Sequence, residues 1–353
     1  MGIRIQRVPS ENLAGGIAAR LIAIVLALGV AAVVFVINGA DLGALGVHVY
    51  KSTFGSNFGL MDLGLIVTPL ILTGLAVMIA LKVGAWNIGA EGQFCAGAFA
   101  ATAVSLFVPG PTAVILPVMF VAGAVGGMIW ILIPTLARAY ADVSELITTL
   151  LLNFVGILLI YYVATGPWLD SSGFSFASTA RLKHDVPALW GDIHWGLPIA
   201  VLLTIVVAAV LNFTRWGYEV RIAGSNPNAA KYAAIPFRRH LIVVMLMSGA
   251  IAGLAGMLEA VGTAHRLQGG ISNNFGYIGI MVAVLARGSA IGVLAGAALM
   301  AIILKSGIAL QTQGVNISTV IAITGLILFF TAIGDELSHY RIVRTRTTQA
   351  QAG

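Results

Sequence analysis

Long apolar runs, separated by short polar segments, occupy most of the chain. A helix needs about 20 mostly apolar residues to cross a bilayer core roughly 30 Å thick. Ten runs suit that length, at roughly 19–38, 61–82, 88–108, 111–134, 145–164, 196–213, 240–262, 275–288, 290–307 and 316–334. They lack the alternation of polar and apolar residues that is typical of outer-membrane barrels. The pattern therefore predicts an all-α, polytopic transmembrane helical bundle with about ten spans.

The eighth and ninth runs are the least clearly separated. Only Arg287 and Gly288 divide them, so this part is predicted either as two short helices or as one re-entrant element. The first run, from Leu21 to Ile37, is longer than the apolar core of a signal peptide, which is typically 7–15 residues. We therefore expect it to be a retained helix, and the span count to be ten give or take two.

The amino-acid composition supports the same prediction of a transmembrane helical bundle. Of the 353 residues 59% are hydrophobic and 9% are charged, whereas soluble domains carry about 25% charged residues. This composition excludes a soluble enzyme, a disordered protein and a nucleic-acid-binding domain. Glycine accounts for 42 residues, an excess that suits closely packed transmembrane helices. The single cysteine, Cys95, leaves no intrachain disulfide and suggests no metal cluster.

The positions of the cations orient the ten-span model. With the N-terminus inside, 14 of the 19 Lys and Arg residues fall on the cytoplasmic side, as the positive-inside rule requires. Both termini are then cytoplasmic. The chain is predicted to be one transmembrane domain over 1–353, embedded over 19–334. Its expected parts outside the membrane are an extracytoplasmic loop at 165–195, a cytoplasmic loop at 214–239 and a cytoplasmic tail at 335–353.

The chain lacks the motifs of the common enzyme classes. It has no Walker A sequence, so no P-loop for ATP is predicted. It also has no H-E-x-x-H, no G-x-S-x-G and no paired cysteines. No catalytic residue, resident cofactor or metal site is therefore expected in this chain.

Two polar clusters interrupt the apolar runs. Asn87, Glu91 and Gln93 lie among glycines at the start of the third run, and Thr149 and Asn153 lie four residues apart in the fifth. Polar residues in spans are costly and commonly face a pathway or a partner. For the first cluster the alternative is helix capping by Asn87, with Glu91 in the first turn. For the second it is hydrogen bonding between helices.

Four further side chains have simpler interpretations. Glu259 and His265, near the end of the seventh run, are expected to be solvated charges at an outward-facing helix end. Phe275 or Tyr277 could stack on a purine-like base, although aromatic residues in spans usually pack against other helices.

The loop after the sixth run contains its own helix signals. Gly224 is expected to act as a flexible stop, Ser225 or Asn226 to cap a helix, and Pro227 to suit its first turn. A short helix of small residues over 229–235 would follow. Because so short a helix is marginal alone, it would be stabilised by docking into a groove of a partner. The alternative is a plain connecting loop.

Four segments in order resemble the permease subunits of bacterial ABC importers, in the group that includes branched-chain amino acid, ribose-type sugar and nucleoside permeases. They are Asn87–Gln93 (N-I-G-A-E-G-Q), Glu145–Asn153 (E-L-I-T-T-L-L-L-N), Gly224–Tyr232 (G-S-N-P-N-A-A-K-Y) and Phe275–Gly288. The second and third look closest to the nucleoside, or basic membrane protein-associated, branch. Departures from the group's pattern fall at Ala234, Met281 and Ala286.

The resemblance implies a mechanism. Two permeases, identical or paired, would form the pathway in the bacterial inner membrane, in contact with its lipids and with no nucleic acid. Separate ATPase subunits would use ATP and Mg, and an extracytoplasmic solute-binding protein would deliver a small polar solute, a nucleoside or alternatively a simple sugar. The implied coupling residues are Gly224, Asn226, Pro227, Ala229, Ala230 and Tyr232. The candidate pathway residues are Asn87, Glu91, Gln93, Thr149, Asn153 and Phe275.

Two other classes compete with the importer. An ion-coupled secondary transporter would need carboxylates at the membrane midplane and inverted repeats, but Glu91, Glu145 and Glu259 lie near span ends in the ten-span model. A membrane-embedded enzyme would need clustered acid and base residues, whereas the six histidines are scattered.

Overall fold

The computed structural model of the chain describes residues 2–7, 13–37, 41–170, 178–337 and 340–345. Thirteen α-helices lie in these ranges. They are α1 (Leu13–Ile37), α2 (Leu42–Thr53), α3 (Asn57–Lys82), α4 (Ala90–Phe107), α5 (Thr112–Ala141), α6 (Glu145–Thr165), α7 (Gly196–Phe213), α8 (Arg215–Ser225), α9 (Pro227–Tyr232), α10 (Phe237–Leu258), α11 (Phe275–Leu285), α12 (Ala290–Thr312) and α13 (Ile317–Leu337). A π-helical turn, Glu259–Thr263, extends α10.

Each of the ten predicted runs coincides with a helix. Among the described residues, six helices are long and apolar enough to cross a membrane: α3, α5, α6, α7, α10 with its π-helical turn, and α12. The eighth run is a helix of only 11 residues, α11. It ends where the sequence indicated a break, since Arg287 and Gly288 both have left-handed φ angles, 49° and 71°. The count of ten spans and the orientation of the termini remain predictions.

Two short antiparallel sheets depart from the all-α prediction. Strand β1 (Gly2–Arg7) pairs with β4 (Tyr340–Thr345), and β2 (Ala188–Trp190) pairs with β3 (Ile193–His194). All four strands lie outside the apolar runs. The sequence of β1 alternates apolar and polar residues from Ile3 to Gln6, which is the period of a strand rather than of a helix.

The chain divides into two compact units, Met1–Ser56 with Ile303–Gly353 and Asn57–Ile302. In the first unit α1 packs against α13. His48 Nε2 lies 3.0 Å from Thr312 Oγ1 and fixes α2 to the end of α12. In the second unit α4, α5 and α10 pack on one another, and α3 packs against α10 and α11.

Glycines bring the backbones of α5 and α10 together in the second unit. A Cβ at Gly127 would overlap the Gly249 carbonyl oxygen, and one at Gly253 would overlap the Gly123 carbonyl oxygen. Each helix thus contributes a G-x-x-x-G pair to the crossing, the spacing that lets transmembrane helices approach closely. This crossing holds α4 and α10 in place around the polar residues described next.

Candidate functional site

Asn87 and Gln93 bind each other at the start of α4. Asn87 Nδ2 donates to Gln93 Oε1 at 2.9 Å, and Gln93 Nε2 donates to Asn87 Oδ1 at 2.8 Å. Asn87 Nδ2 also donates to Ser248 Oγ at 2.7 Å, and that hydroxyl donates to the Ala76 carbonyl at 2.6 Å. Both amides are completely buried or nearly so. Their polar atoms therefore link α3, α4 and α10 to one another.

The expectation that Asn87 caps α4 is wrong. The N-cap position is Gly89, two residues later, and Asn87 Oδ1 accepts the Gly89 N–H at 3.0 Å. The cap comes instead from α6, where Asn153 Oδ1 accepts the Gly92 N–H at 2.8 Å. Asn153 Nδ2 also donates to the Ile88 carbonyl at 2.8 Å. A side chain from another helix thus satisfies one of the free N–H groups of the first turn.

Thr149 has a local role in α6. Its hydroxyl donates to the Glu145 carbonyl one turn earlier at 2.6 Å, and its side chain is buried. Its Cβ packs so tightly against Gly89 that a side chain there would clash. Of the two candidate pathway residues in α6, Thr149 therefore packs against the segment that precedes α4. Asn153 caps α4 itself.

Glu91 joins α4 to the start of α11. Its Oε2 accepts the Gly276 N–H at 2.8 Å, while its Oε1 is buried and has no hydrogen bond within the described part of the chain. The residue is fully buried in the second unit. A buried acceptor without a partner is unfavourable by about 1–3 kcal/mol. Glu91 has no accessible surface, and the Ser272 side chain lies close to its carboxylate, so a ligand would reach Oε1 only after these residues move apart.

A cavity of about 270 Å³ opens beside Glu91, near the lower end of the roughly 300–1,000 Å³ typical of small-molecule sites. Its walls are formed by Glu91, Cys95, Ile157, Ile160, Tyr161, Gly270, Ile271, Ser272, Asn273 and Asn274. One end is polar and the wall from α6 is apolar and aromatic. Asn273 and Asn274 have left-handed φ angles of 44° and 61°, a conformation that asparagine tolerates better than most residues.

Phe275 does not line this cavity. Its ring packs 6.4 Å from the ring of Phe94, and its carbonyl accepts the Thr73 hydroxyl at 3.0 Å. The aromatic residue at the cavity is Tyr161, which the sequence analysis missed. A helical-face argument could have found it, because Tyr161 lies eight residues after Asn153, on the same side of α6 as Ile157 and Ile160. Ser272, Asn273 and Asn274 were also missed, because they lie in a turn between runs.

The loop predicted as a docking segment folds into α8 and α9. Asn226 Oδ1 accepts the Ala229 N–H at 3.0 Å and Pro227 is the first residue of α9, so the predicted cap and start are confirmed. Gly224 is not a flexible stop. It lies within α8, where a Cβ would overlap the Lys82 carbonyl oxygen.

The ends and faces of α9 differ from those predicted. The helix covers Pro227–Tyr232 and is followed by Ala234, whose φ of 54° is left-handed. Ala230 is only 1% exposed within its own chain, whereas Tyr232 is 94% exposed. Ala229 is exposed as well. Any partner would therefore meet Ala229 and Tyr232 rather than Ala230.

Glu259 is not a solvated helix end. It is 7% exposed and begins the π-helical turn. His265 contacts a different acid, with its Nδ1 2.9 Å from Asp185 Oδ1. The expectation failed because the segment 178–186 and the β2–β3 hairpin cover this end of α10. Two backbone bonds attach that segment, from the Thr179 N–H to the Leu267 carbonyl and from the Leu182 N–H to the His265 carbonyl, both at 2.9 Å.

His194 sits buried at the end of the β2–β3 hairpin, in a space kept open by Gly196 and Gly262. Its Nδ1 accepts the Gly196 N–H at 3.0 Å, and its Nε2 lies 3.4 Å from Thr263 Oγ1. Burial, with a smaller contribution from His265, lowers the pKa of His194 to about 4. The fold therefore requires the neutral imidazole.

Acid should destabilise the protein through His194. The unfolded imidazole has a pKa near 6.5, so this contribution to stability is complete above pH 6.5 and is lost as the pH falls towards 4. The loss should approach about 3 kcal/mol. Thermal unfolding at pH 7.5 and 4.5 measures it. His194→Gln should show a smaller difference between the two pH values than the parent, and His48→Gln should not. An equal difference in all three proteins would contradict the prediction.

A family model described as the permease component of branched-chain amino acid transport systems matches residues 59–332. The chain belongs to this permease family. The permease is 34% identical to the glucose ABC transporter permease protein TsgB13 of Haloferax volcanii, over 91% of its own length and 88% of that protein. It is 31% identical to the guanosine ABC transporter permease protein NupP of Bacillus subtilis, over 79% and 82% of the two chains.

The nucleoside ABC transporter permease protein NupB of Lactococcus lactis is 30% identical to the permease, over 75% of this chain and 76% of that one. No solved structure matches the permease significantly. The resemblance found in the four segments is thus confirmed. The permease is a multi-pass membrane transport subunit and not an enzyme, and membership of the family implies ATPase and substrate-binding partners.

Proposed function

We propose that the permease forms the translocation pathway of an ATP-driven importer and that the cavity beside Glu91 is part of this pathway. The observation that carries the proposal is the buried Glu91 Oε1, which has no hydrogen bond in the described part of the chain and belongs to a residue that borders the cavity. Asn87, Gln93 and Asn153 support it indirectly, because their hydrogen bonds fix the start of α4 from which Glu91 projects. Thr149 supports it by packing against Gly89, just before α4.

A nucleoside is the solute that suits the cavity best. A purine or pyrimidine could stack on Tyr161 against Ile157 and Ile160, while ribose hydroxyls would reach Glu91 and Ser272 at the polar end. Relatives that carry guanosine and nucleosides agree with this choice. A simple sugar is the second candidate, because the glucose permease relative matches more of the chain. A sugar would use the polar end and leave the α6 wall without a stacking partner.

Competition for uptake distinguishes the two solutes. Cells that express the permease with its ATPase and binding protein are given labelled guanosine together with excess unlabelled adenosine or glucose. We expect adenosine to suppress uptake and glucose to have no effect. If the cells take up labelled glucose and no labelled guanosine, the transported solute is a sugar and not a nucleoside.

The remaining parts of the mechanism follow the same proposal. One permease domain over 1–353 would cross the bacterial inner membrane about ten times, with both termini in the cytoplasm, and a second permease would complete the pathway. ATP and Mg would be used by separate ATPase chains. A solute-binding protein would dock on the 165–195 loop, where Trp190 and Trp195 are half-exposed.

We infer that α9 transmits the movement of the ATPase, with Tyr232 and Ala229 facing the partner. Gly224 supports this by allowing α8 to lie directly on the end of α3, so that a push on α9 reaches a spanning helix. Asn226 and Pro227 fix the start of α9. Ala230 anchors α9 to its own chain, so a charge at Ala230 would disturb the fold rather than the docking surface.

Ala229→Glu should therefore uncouple transport. A carboxylate at the docking surface would be desolvated without a partner, so we expect uptake to fall about tenfold or more, since burying an unpaired charge costs more than 1.4 kcal/mol. The amount of permease in the membrane should be unchanged. Ala141→Glu, an exposed alanine at the end of α5, is the matched control. Equal uptake by the parent and Ala229→Glu would show that α9 is not part of the coupling surface.

A further inference from the structure

Residues 178–179, here called the clasp, join two walls of the cavity beside Glu91. One wall belongs to α6, and the other is the turn 270–274 that precedes α11. The clasp lies between the chain that leaves α6, at 169–170, and the chain that enters the turn, at 267–268. It therefore pairs with one wall on each of its edges.

The first edge of the clasp is paired with the chain that follows α6. Thr179 lies opposite Leu169 in an antiparallel bridge. The Asp170 N–H donates to the Ser178 carbonyl at 3.0 Å. The Leu169 N–H in turn donates to the Gly166 carbonyl at 3.2 Å, directly after the last residue of α6. This edge therefore fixes the clasp to the α6 wall of the cavity.

The second edge of the clasp is paired with the chain that leads into the turn. Ser178 lies opposite Gln268. The Thr179 N–H donates to the Leu267 carbonyl at 2.9 Å, and the Thr179 hydroxyl accepts the Leu267 N–H at 3.0 Å. Both residues are fully buried, so one threonine satisfies both backbone groups of Leu267. The Gln268 carbonyl accepts the Ile271 N–H at 3.2 Å, which continues the bonding into the cavity wall.

The two walls also contact each other directly. The ring of Tyr161 lies so close to Gly269 that a Cβ there would overlap it. Glu91 has no accessible surface, so a solute reaches its carboxylate only when the walls separate. Because the clasp is bonded to both walls, they cannot separate at this end while both of its edges stay paired.

The two edges differ in what lies behind them. The first edge continues into a regular helix, α6. The second continues into the turn, where Asn273 and Asn274 have left-handed φ angles. Residues other than glycine keep such a conformation only when the surrounding structure holds them in it. The second edge is therefore the one whose opening releases a strained segment.

We propose that the clasp closes the cavity and that Thr179 is the residue that positions the turn. Solute enters when the pairing of the clasp with 267–268 opens, and the cavity closes again when this pairing re-forms. The inference rests on the proposed function, because it takes the cavity beside Glu91 to be part of the solute pathway.

The native Cys95 can report the opening of the cavity. It lines the cavity, is buried and is the single cysteine of the chain. Thr179→Val keeps the shape of the side chain but leaves the Leu267 N–H without its acceptor. We expect N-ethylmaleimide to label Cys95 about tenfold faster in this variant, which corresponds to about 1.4 kcal/mol. Mass spectrometry of the permease chain from the purified transporter complex measures the labelling rate.

Two further variants separate this effect from a general loosening of the helices. Thr179→Ser keeps the hydroxyl and should label at the parent rate. Thr204→Val removes another fully buried hydroxyl, which donates to the Ala200 carbonyl of its own helix, α7, and should also label at the parent rate. Equal labelling of Cys95 in the parent and in Thr179→Val would overturn the proposal. So would equally fast labelling in Thr179→Val and Thr204→Val.

A disulfide across the second edge tests the clasp in transport. Ser178→Cys with Gln268→Cys places two cysteines in an antiparallel bridge, where Cα atoms lie about 4.5–5.5 Å apart, within the range that a disulfide spans. Uptake is measured in proteoliposomes that contain the permease, its ATPase and its binding protein, with whichever of labelled guanosine and glucose the parent takes up. We expect oxidation to abolish uptake and dithiothreitol to restore it, and neither single substitution to respond to oxidation.

The two assays distinguish failure of this proposal from failure of the proposed function. Labelling of Cys95 needs no transported solute, so it decides on the clasp even if the parent takes up neither guanosine nor glucose. Undiminished uptake by the oxidised cysteine pair would refute the clasp and leave the proposed function standing. A parent that takes up no solute, with Cys95 labelled faster in Thr179→Val, would refute the proposed function and leave the clasp standing.

Discussion

Replacing Glu91 with glutamine should lower solute uptake about 10- to 100-fold, without reducing the amount of permease in the membrane. Glutamine keeps one oxygen for the Gly276 N–H but replaces the unpaired Oε1 with a donor. A hydrogen bond to a charged group contributes about 1.5–3 kcal/mol, and each 1.4 kcal/mol is about a factor of ten. The initial uptake rate, divided by the amount of permease in the membrane fraction, measures the effect.

The comparison with Glu91→Ala separates two roles for this carboxylate. Alanine removes both the free oxygen and the bond to Gly276, whereas glutamine removes only the former. If glutamine preserves normal uptake and alanine does not, Glu91 serves to hold α4 against α11 and does not contact the solute. Asp142→Asn is the control, because that carboxylate is 90% exposed in its side chain.

Gly127→Ala should destabilise the fold by about 3 kcal/mol, the upper part of the range for overpacking a core. A methyl group there would overlap the Gly249 carbonyl oxygen, which is a backbone atom and cannot rotate away. The helices α5 and α10 would have to separate, and α4 would move with them. Thermal unfolding of the purified permease in detergent measures the loss.

Gly29→Ala is the matched control for this prediction. Gly29 also lies in an apolar helix, but a Cβ there has no atom within 4 Å. The substitution should be neutral or slightly stabilising, since alanine favours a helix by about 1 kcal/mol over glycine. Similar unfolding temperatures for the parent and Gly127→Ala would mean that the crossing is looser than the structure describes.

Apolar runs were enough to locate the ten main helices, because a membrane requires long apolar segments with every backbone group bonded internally. Local signals also narrowed the cap of α9 to Ser225 or Asn226, and the structure has it at Asn226. The hydrogen-bond partners of the polar side chains could not be predicted from apolar runs or local sequence signals. Asn153 caps the start of α4 across 61 residues, and Asn87 and Gln93 bind each other as well as α10. Such pairings depend on how helices cross.

The crossing of α5 and α10 could have been predicted from the spacing of glycines in the sequence, but not from the glycine content alone. The excess of glycine indicated close packing, but the G-x-x-x-G spacing at Gly123 and Gly127, and again at Gly249 and Gly253, would have named the helix pair. No pattern in the sequence indicated that Ala230 faces its own chain or that Glu259 is buried. Both depend on segments that cover a helix end, and hydropathy does not describe those segments.

The most direct test of the account is the energy source of uptake in proteoliposomes that contain the permease, its ATPase and its binding protein. The account predicts that uptake of labelled guanosine requires hydrolysable ATP on the side of the ATPase and continues when a protonophore is added. Uptake that needs no ATPase, follows an imposed proton gradient and stops with the protonophore would contradict it.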